Sequence, residues 1–111
     1  MSDAAQKARH YVVYLLKLTD AGGQQVPSLP ELMSEIEDVF RTEGGEMLAC
    51  LVTLGEYDLV LAGWLPDESV AGLLALWLAD RGVFKAQTMS ALDRDQVIKM
   101  LHKPEWGRHH Q

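Results

Sequence analysis

Apolar and polar positions divide the chain into short strands and helices. Residues 10–18, HYVVYLLKL, are rich in β-branched and aromatic side chains and are too short for a typical helix. They predict a first strand that is apolar on both faces. Residues 46–54 and 57–65 predict the second and third strands. Residues 83–92 predict a fourth strand, whose polar side chains are typical of a sheet edge.

A helix is predicted between the first and second strands. Ser28 and Glu31 match the S-x-x-E capping box, and Pro30 is tolerated in a first helical turn. Gly44 and Gly45 end the element. The apolar residues that follow helical spacing should dock on a sheet: Leu29, Leu32, Met33, Ile36 and Phe40.

Two further helices follow the third and fourth strands. Residues 66–68, PDE, open the second helix, which closes at Arg81 and Gly82. Asp93 and Gln96 resemble a cap for a short third helix that runs through His102. The predicted apolar stripe of the second helix consists of Val70, Leu73, Leu74 and Trp77.

The element order is β-α-β-β-α-β with an added C-terminal helix. It predicts an α+β, ferredoxin-like fold with a four-stranded antiparallel sheet, in which right-handed crossovers place strands one and three at the centre. Gly55 and Glu56 suit a two-residue type II′ hairpin between strands two and three. We expect one domain over residues 10–103, with a flexible N-terminus at 1–9 and a loosely held tail at 104–111.

The central strands are apolar on both faces, but the helices of this fold cover only one. Val60, Ala62 and Trp64 lie on the face opposite Leu59 and Leu61. An exposed apolar sheet face is unusual for a monomer, so a second copy is expected to cover it. The alternative is that the third helix or the tail folds across that face.

Composition restricts the partners. The net charge of −6 disfavours nucleic acid and anionic membrane surfaces. The single cysteine, Cys50, cannot form an internal disulfide, which favours a reducing cytoplasm. The N-terminus does not read as a signal peptide, and the apolar run at residues 72–79 is too short to cross a bilayer.

The stretch TLGEYDLV, residues 53–60, interrupts the apolar pattern between strands two and three. Its Gly55, Tyr57 and Asp58 resemble the Gly-x-Tyr-Asp turn for which the GYD-domain family is named. The resemblance extends over residues 10–101 and implies a dimeric α/β-barrel type of fold. A similar turn lies near a ligand-holding subunit interface in the Lrp/AsnC regulators, which implies a small-molecule site close to the turn.

The residues of the turn also have plain structural interpretations. Gly55 can serve backbone geometry alone, and Tyr57 can pair across strands. Asp58 is harder to explain, because aspartate is depleted in strands and an interior carboxylate needs donors. It either accepts turn N–H groups or faces a cavity between subunits.

Three classes of function remain open. The first is a cytoplasmic, non-enzymatic homo-oligomer, dimer-based, that binds a small molecule near the turn. Its candidate ligand-binding residues are Gly55, Tyr57, Asp58, His10 and Tyr14. The second is a small cofactor-independent enzyme, a monooxygenase, isomerase or cyclase, with Asp58, His10 and Tyr14 as its acid or base candidates. The third is a purely structural assembly protein. No cofactor or metal is expected, because the four histidines lack ligand spacing and no phosphate-binding glycine motif is present.

Overall fold

The computed structural model describes residues 9–23 and 26–103. One helix separates the first and second strands and another separates the third and fourth, as predicted, and a C-terminal helix follows. A four-residue helical turn at Asp20–Gly23 follows the first strand. The predicted N-terminal and C-terminal segments therefore lie outside the described residues, except for Arg9. The elements are β1 (His10–Leu18), α1 (Leu29–Thr42), β2 (Glu46–Val52), β3 (Leu59–Leu65), α2 (Glu68–Asp80), β4 (Phe84–Ala91) and α3 (Arg94–Leu101).

The strands form one antiparallel sheet in the order β2-β3-β1-β4. This confirms the predicted α+β, ferredoxin-like fold, with β1 and β3 at the centre. β1 pairs with β3 from His10–Leu65 to Leu16–Leu59. On its other side β1 pairs with β4 from Tyr11–Ala91 to Leu18–Phe84. Paired residues share a face, so this register decides which side chains meet.

The core lies between the sheet and the helices α1 and α2. Tyr14 is at its centre, where the ring meets Phe40 edge-on with centroids 6.3 Å apart and the hydroxyl donates to the Ala71 carbonyl at 2.7 Å. The predicted docking face of α1 is confirmed, because Leu32, Ile36 and Phe40 are buried. The remaining buried residues are Val12, Leu16, Leu59, Leu61, Leu65, Ala71, Leu74, Leu78 and Phe84.

The predicted stripe of α2 is wrong in part. The helix buries Ala71, Leu74 and Leu78, whereas Leu73 is 60% exposed. The stripe instead borders a groove beside α1, which Val70, Leu73, Leu74 and Trp77 line together with Val39 and Glu43. The helix is apolar on nearly every side, so its periodicity could not select the face that meets the sheet.

Two of the three predicted helix starts have the expected caps. The Asp67 side chain accepts from Val70 N at 3.0 Å, and Gln96 Oε1 accepts from Asp93 N at 2.8 Å. The capping box at Ser28 is wrong, since its side chain makes no capping bond. Ser28 ends a 3₁₀ turn at Val26–Ser28 and has φ −96° and ψ 3°, not the extended conformation that a capping side chain uses.

The helix α3 stands apart from the core. It buries none of its residues, and its apolar side chains Val97, Ile98, Met100 and Leu101 are 36–46% exposed. A helix packed across the sheet would bury such side chains. The described part of the chain therefore leaves the second face of the sheet without a helix over it.

Candidate functional site

The face of the sheet turned away from α1 and α2 is called the open face here. The strand register brings Val60, Ala62 and Trp64 of β3 beside Leu15, Val13 and Tyr11 of β1. Their side chains are half-buried by their neighbours within the sheet. The predicted interface residues therefore lie together on one apolar surface.

Trp64 carries an unsatisfied donor on this face. Its indole Nε1 is buried and has no hydrogen-bond partner among the described residues. The guanidinium carbon of Arg9 lies 4.5 Å from the ring centroid, so a cation–π contact covers one side of the ring. A cavity of about 330 Å³ that also touches Trp64 is lined by Glu37 and Arg41 of α1 and by Gly45, Glu46 and Met47, so it borders the helix layer and is not part of the open face.

The turn with Gly55, Tyr57 and Asp58 is longer than predicted. The ladder stops at Val52 and resumes at Leu59, so the two-residue hairpin at Gly55 and Glu56 is wrong. Gly55 has φ +141°, which an L side chain rarely adopts. The turn is longer because its last two residues bond to other strands of the sheet: Asp58 to β1 and Tyr57 to β4.

Asp58 ties the turn to the end of β1. Its Oδ2 accepts from Leu18 N at 2.8 Å, and its own N–H donates to the Leu16 carbonyl at 2.8 Å. Its carbonyl accepts from Thr53 N at 3.0 Å. The carboxylate thus provides an acceptor for Leu18 N, because the pairing of β3 with β1 ends at Leu16. The donor to the carboxylate is therefore an N–H group of β1 and not one of the turn, and a ligand-binding role of Asp58 stays a prediction.

Tyr57 reaches across the open face. Its hydroxyl donates to Gln87 Oε1 on β4, and Gln87 pairs with Leu15 on the open face. The tyrosine therefore crosses β1 from the turn to the far edge of the sheet. Thr53 Oγ1 donates to the Tyr57 carbonyl at 2.6 Å, and this hydrogen bond orients Tyr57. This position places the aromatic ring and its hydroxyl beside the polar residues of β4.

The structure does not bring His10 and Tyr14 to the turn. Tyr14 is fully buried on the helix side, and this burial raises the pKa of its phenol. His10 begins β1, about 26 Å from Leu18 at the usual rise of a strand. Its Nε2 lies 3.4 Å from Ser90 Oγ. A shared acid–base group of Asp58, His10 and Tyr14 is therefore not assembled within one chain.

Two lysines that the sequence did not single out as site residues lie close to the turn. Lys17 and Lys85 are directly opposite each other on β1 and β4, on the open face. They border an open cleft of about 650 Å³, together with Leu18, Thr19, Asp20 and Gly82. Lys17 interrupts an otherwise apolar strand, but its pairing with Lys85 depends on the register, which the sequence alone does not specify.

Other reactive groups are few among the residues that the structure describes. No cluster of three or more His, Cys, Asp or Glu side chains could hold a metal ion there. Cys50 is half-buried with its Sγ 3.4 Å from Met33 Sδ. Burial, with Glu37 nearby, raises the pKa of the Cys50 thiol, which opposes a nucleophilic role. None of the described helices has the length and apolar character needed to span a membrane.

Comparison with known proteins assigns the chain to a family. The family model described as GYD domain matches residues 11–101. A protein of Thermus thermophilus, "Glutamine synthetase and cystathionine beta-lyase binding protein", is 30% identical over 90 residues, which are 80% of this chain and 95% of the relative. The match covers all four strands and reaches the end of α3. The chain therefore belongs to the GYD-domain family.

Proposed function

We propose that this chain is a homo-oligomeric binding module, which associates with itself through the open face and binds other proteins through its helix layer. The open face carries the proposal. It is an apolar sheet surface with no described helix over it, and it contains an aromatic side chain with an unpaired donor. Soluble proteins rarely leave such a surface to water.

A second copy is the occupant that the residues favour. Val13, Val60, Ala62 and Trp64 form an aliphatic and aromatic surface, and two identical sheets can pack face to face about 10 Å apart. Burying Trp64 removes a large apolar area from water, which makes it the expected anchor of the interface.

The helix layer remains accessible in such a pair, because α1 and α2 lie on the opposite side of each sheet. There α2 exposes Leu73 by 60% and Leu76 by 68%. Leu73 also borders the groove of about 210 Å³ between α1 and α2, beside Val39 and Trp77. These side chains offer a second apolar surface. The relative is named for binding two enzymes, and a partner of this kind suits an exposed helix surface.

This proposal modifies the small-molecule module that the sequence predicts. The Asp58 carboxylate accepts from Leu18 N within the chain, so we place a small ligand beside the turn and not on Asp58. We propose a cytoplasmic location, which the single free thiol of Cys50 supports.

Binding to the two enzymes named for the relative tests the partner side of the proposal. Immobilised protein should bind glutamine synthetase or cystathionine β-lyase from the same organism in biolayer interferometry. Leu73→Glu should abolish that binding, because it places a charge in the apolar groove. Leu92→Glu is the matched control, since Leu92 is equally exposed, at 60%, but lies after β4.

Two outcomes contradict this part. If wild-type protein binds neither enzyme at micromolar concentration, the proposed partners are wrong. If Leu73→Glu and Leu92→Glu weaken binding equally, the groove beside α1 is not the contact surface.

A further inference from the structure

The lysine pair at one corner of the open face forms no ion pair with any residue that the structure describes. Lys17 and Lys85 are direct cross-strand neighbours, and the two ion pairs among the described residues join Arg41 to Asp38 and Arg81 to Glu35. Like charges directly opposite each other destabilise an antiparallel sheet. The chain has a net charge of −6, yet among its described acidic residues only Asp20 borders the cleft of the two lysines, and it forms no ion pair with either.

The neighbouring residues form a site around this pair. An open cleft of about 650 Å³ adjoins the two lysines and the backbone at Thr19 and Gly82. Gly82 has φ +73°. Its carbonyl accepts from Thr19 Oγ1 at 2.7 Å, and this bond links the residue after β1 to the segment after α2 beside the cleft. A small ligand can reach both ammonium groups from this cleft.

We propose that Lys17 and Lys85 bind a small oxyanion with two negative charges, either a phosphate group or a compact dicarboxylate, in this cleft. Two ammonium groups match two negative charges, and their mutual repulsion is relieved when the anion binds. Asp20 also borders the cleft and opposes the anion, so it lowers the affinity. The residues of the site all belong to one chain.

Isothermal titration calorimetry with inorganic phosphate and, separately, malonate tests the site at constant ionic strength. Lys17→Gln and Lys85→Gln should each weaken binding by about tenfold or more, since each removes one charged donor. Asp20→Asn should strengthen it. Lys99→Gln removes a positive charge from α3 and should leave the affinity unchanged.

Thermal unfolding of the same variants is a second readout, in which removing a lysine should raise Tm although it weakens anion binding. Without anion, Lys85→Gln should unfold at a higher temperature than wild type, because the like-charge contact is gone. With phosphate, only wild type, Asp20→Asn and Lys99→Gln should gain a further increase. A lysine variant that loses the anion response but has a higher Tm without anion is folded, so its loss of response reports binding and not misfolding.

Three results would overturn the proposal. One is that neither anion binds wild-type protein, in which case the lysines only keep the edge strand in solvent. Another is that phosphate stabilises every variant equally, which is a general effect of the salt. The third is that Lys85→Gln changes the oligomeric mass without any anion effect, which would assign the pair to a subunit contact. Mass and anion affinity are measured separately, so the assembly and the site can fail independently.

Discussion

Removing the Asp58 side chain should destabilise the fold, because its carboxylate is the acceptor for Leu18 N at 2.8 Å. Asp58→Ala leaves this part-buried donor unpaired, which costs about 1–3 kcal/mol of the free energy of unfolding. Asp58→Asn keeps an oxygen acceptor but removes the charge, so about 1 kcal/mol is expected. For a domain of this size, 1 kcal/mol corresponds to a change of roughly 4–8 °C in Tm.

Thermal and urea unfolding followed by circular dichroism measure this loss, at one fixed protein concentration because association shifts Tm. Glu56→Ala is the matched control: it removes a carboxylate from the same turn, at an exposed position, and should stay within about 0.5 kcal/mol of wild type. The reasoning is refuted if Asp58→Ala is as stable as Glu56→Ala. The carboxylate would then be free to serve a ligand, as the alternative interpretation of the sequence has it.

Three further predictions concern the core and the thiol. Gly63→Ala should lower the free energy of unfolding by about 1–3 kcal/mol in urea titrations, since the added Cβ would meet the Glu46 carbonyl and lie 2.7 Å from Phe40 Cε1. Gly72→Ala has open space around it and should raise the free energy of unfolding by about 1 kcal/mol. Equal effects of the two variants would contradict the packing. Tyr14→Phe should lower the free energy of unfolding by about 1 kcal/mol, because it removes the hydrogen bond to the Ala71 carbonyl. Burial raises the pKa of Tyr14 above its ordinary 10.0. The stability of wild type should therefore fall as the pH rises above 10.0, and the stability of the variant should fall less. Cys50 should react with iodoacetamide at pH 8 more slowly in folded than in urea-unfolded protein, because burial and Glu37 raise the pKa of its thiol; equal rates would show an exposed thiol.

The sequence was sufficient for features that depend on local patterns. The bounds of β1 follow from one short β-branched run, and the central places of β1 and β3 follow from the element order and the handedness of crossovers. The Asp67 cap follows from its position before α2. Each of these depends on neighbours along the chain.

Features that depend on distant partners could not be predicted in this way. The length of the turn is decided by the bonds of Asp58 to Leu18 and of Tyr57 to Gln87, which join different strands. The pairing of Lys17 with Lys85 requires the register of β1 against β4, and a shift by one residue would turn one of them to the other face. The site beside the turn was therefore visible only once the sheet was assembled.

The oligomeric mass of wild type and Trp64→Glu, measured by light scattering at micromolar concentration, tests self-association through the open face most directly. Trp64 lies on that face with its Nε1 unpaired, so a carboxylate there should dissociate the assembly. Wild type should have at least twice the 12.4 kDa mass of one chain, Trp64→Glu should approach the mass of one chain, and Leu73→Glu on α2 should keep the wild-type mass. A monomeric wild type, or a Trp64→Glu variant that is folded and keeps the wild-type mass, would contradict the account.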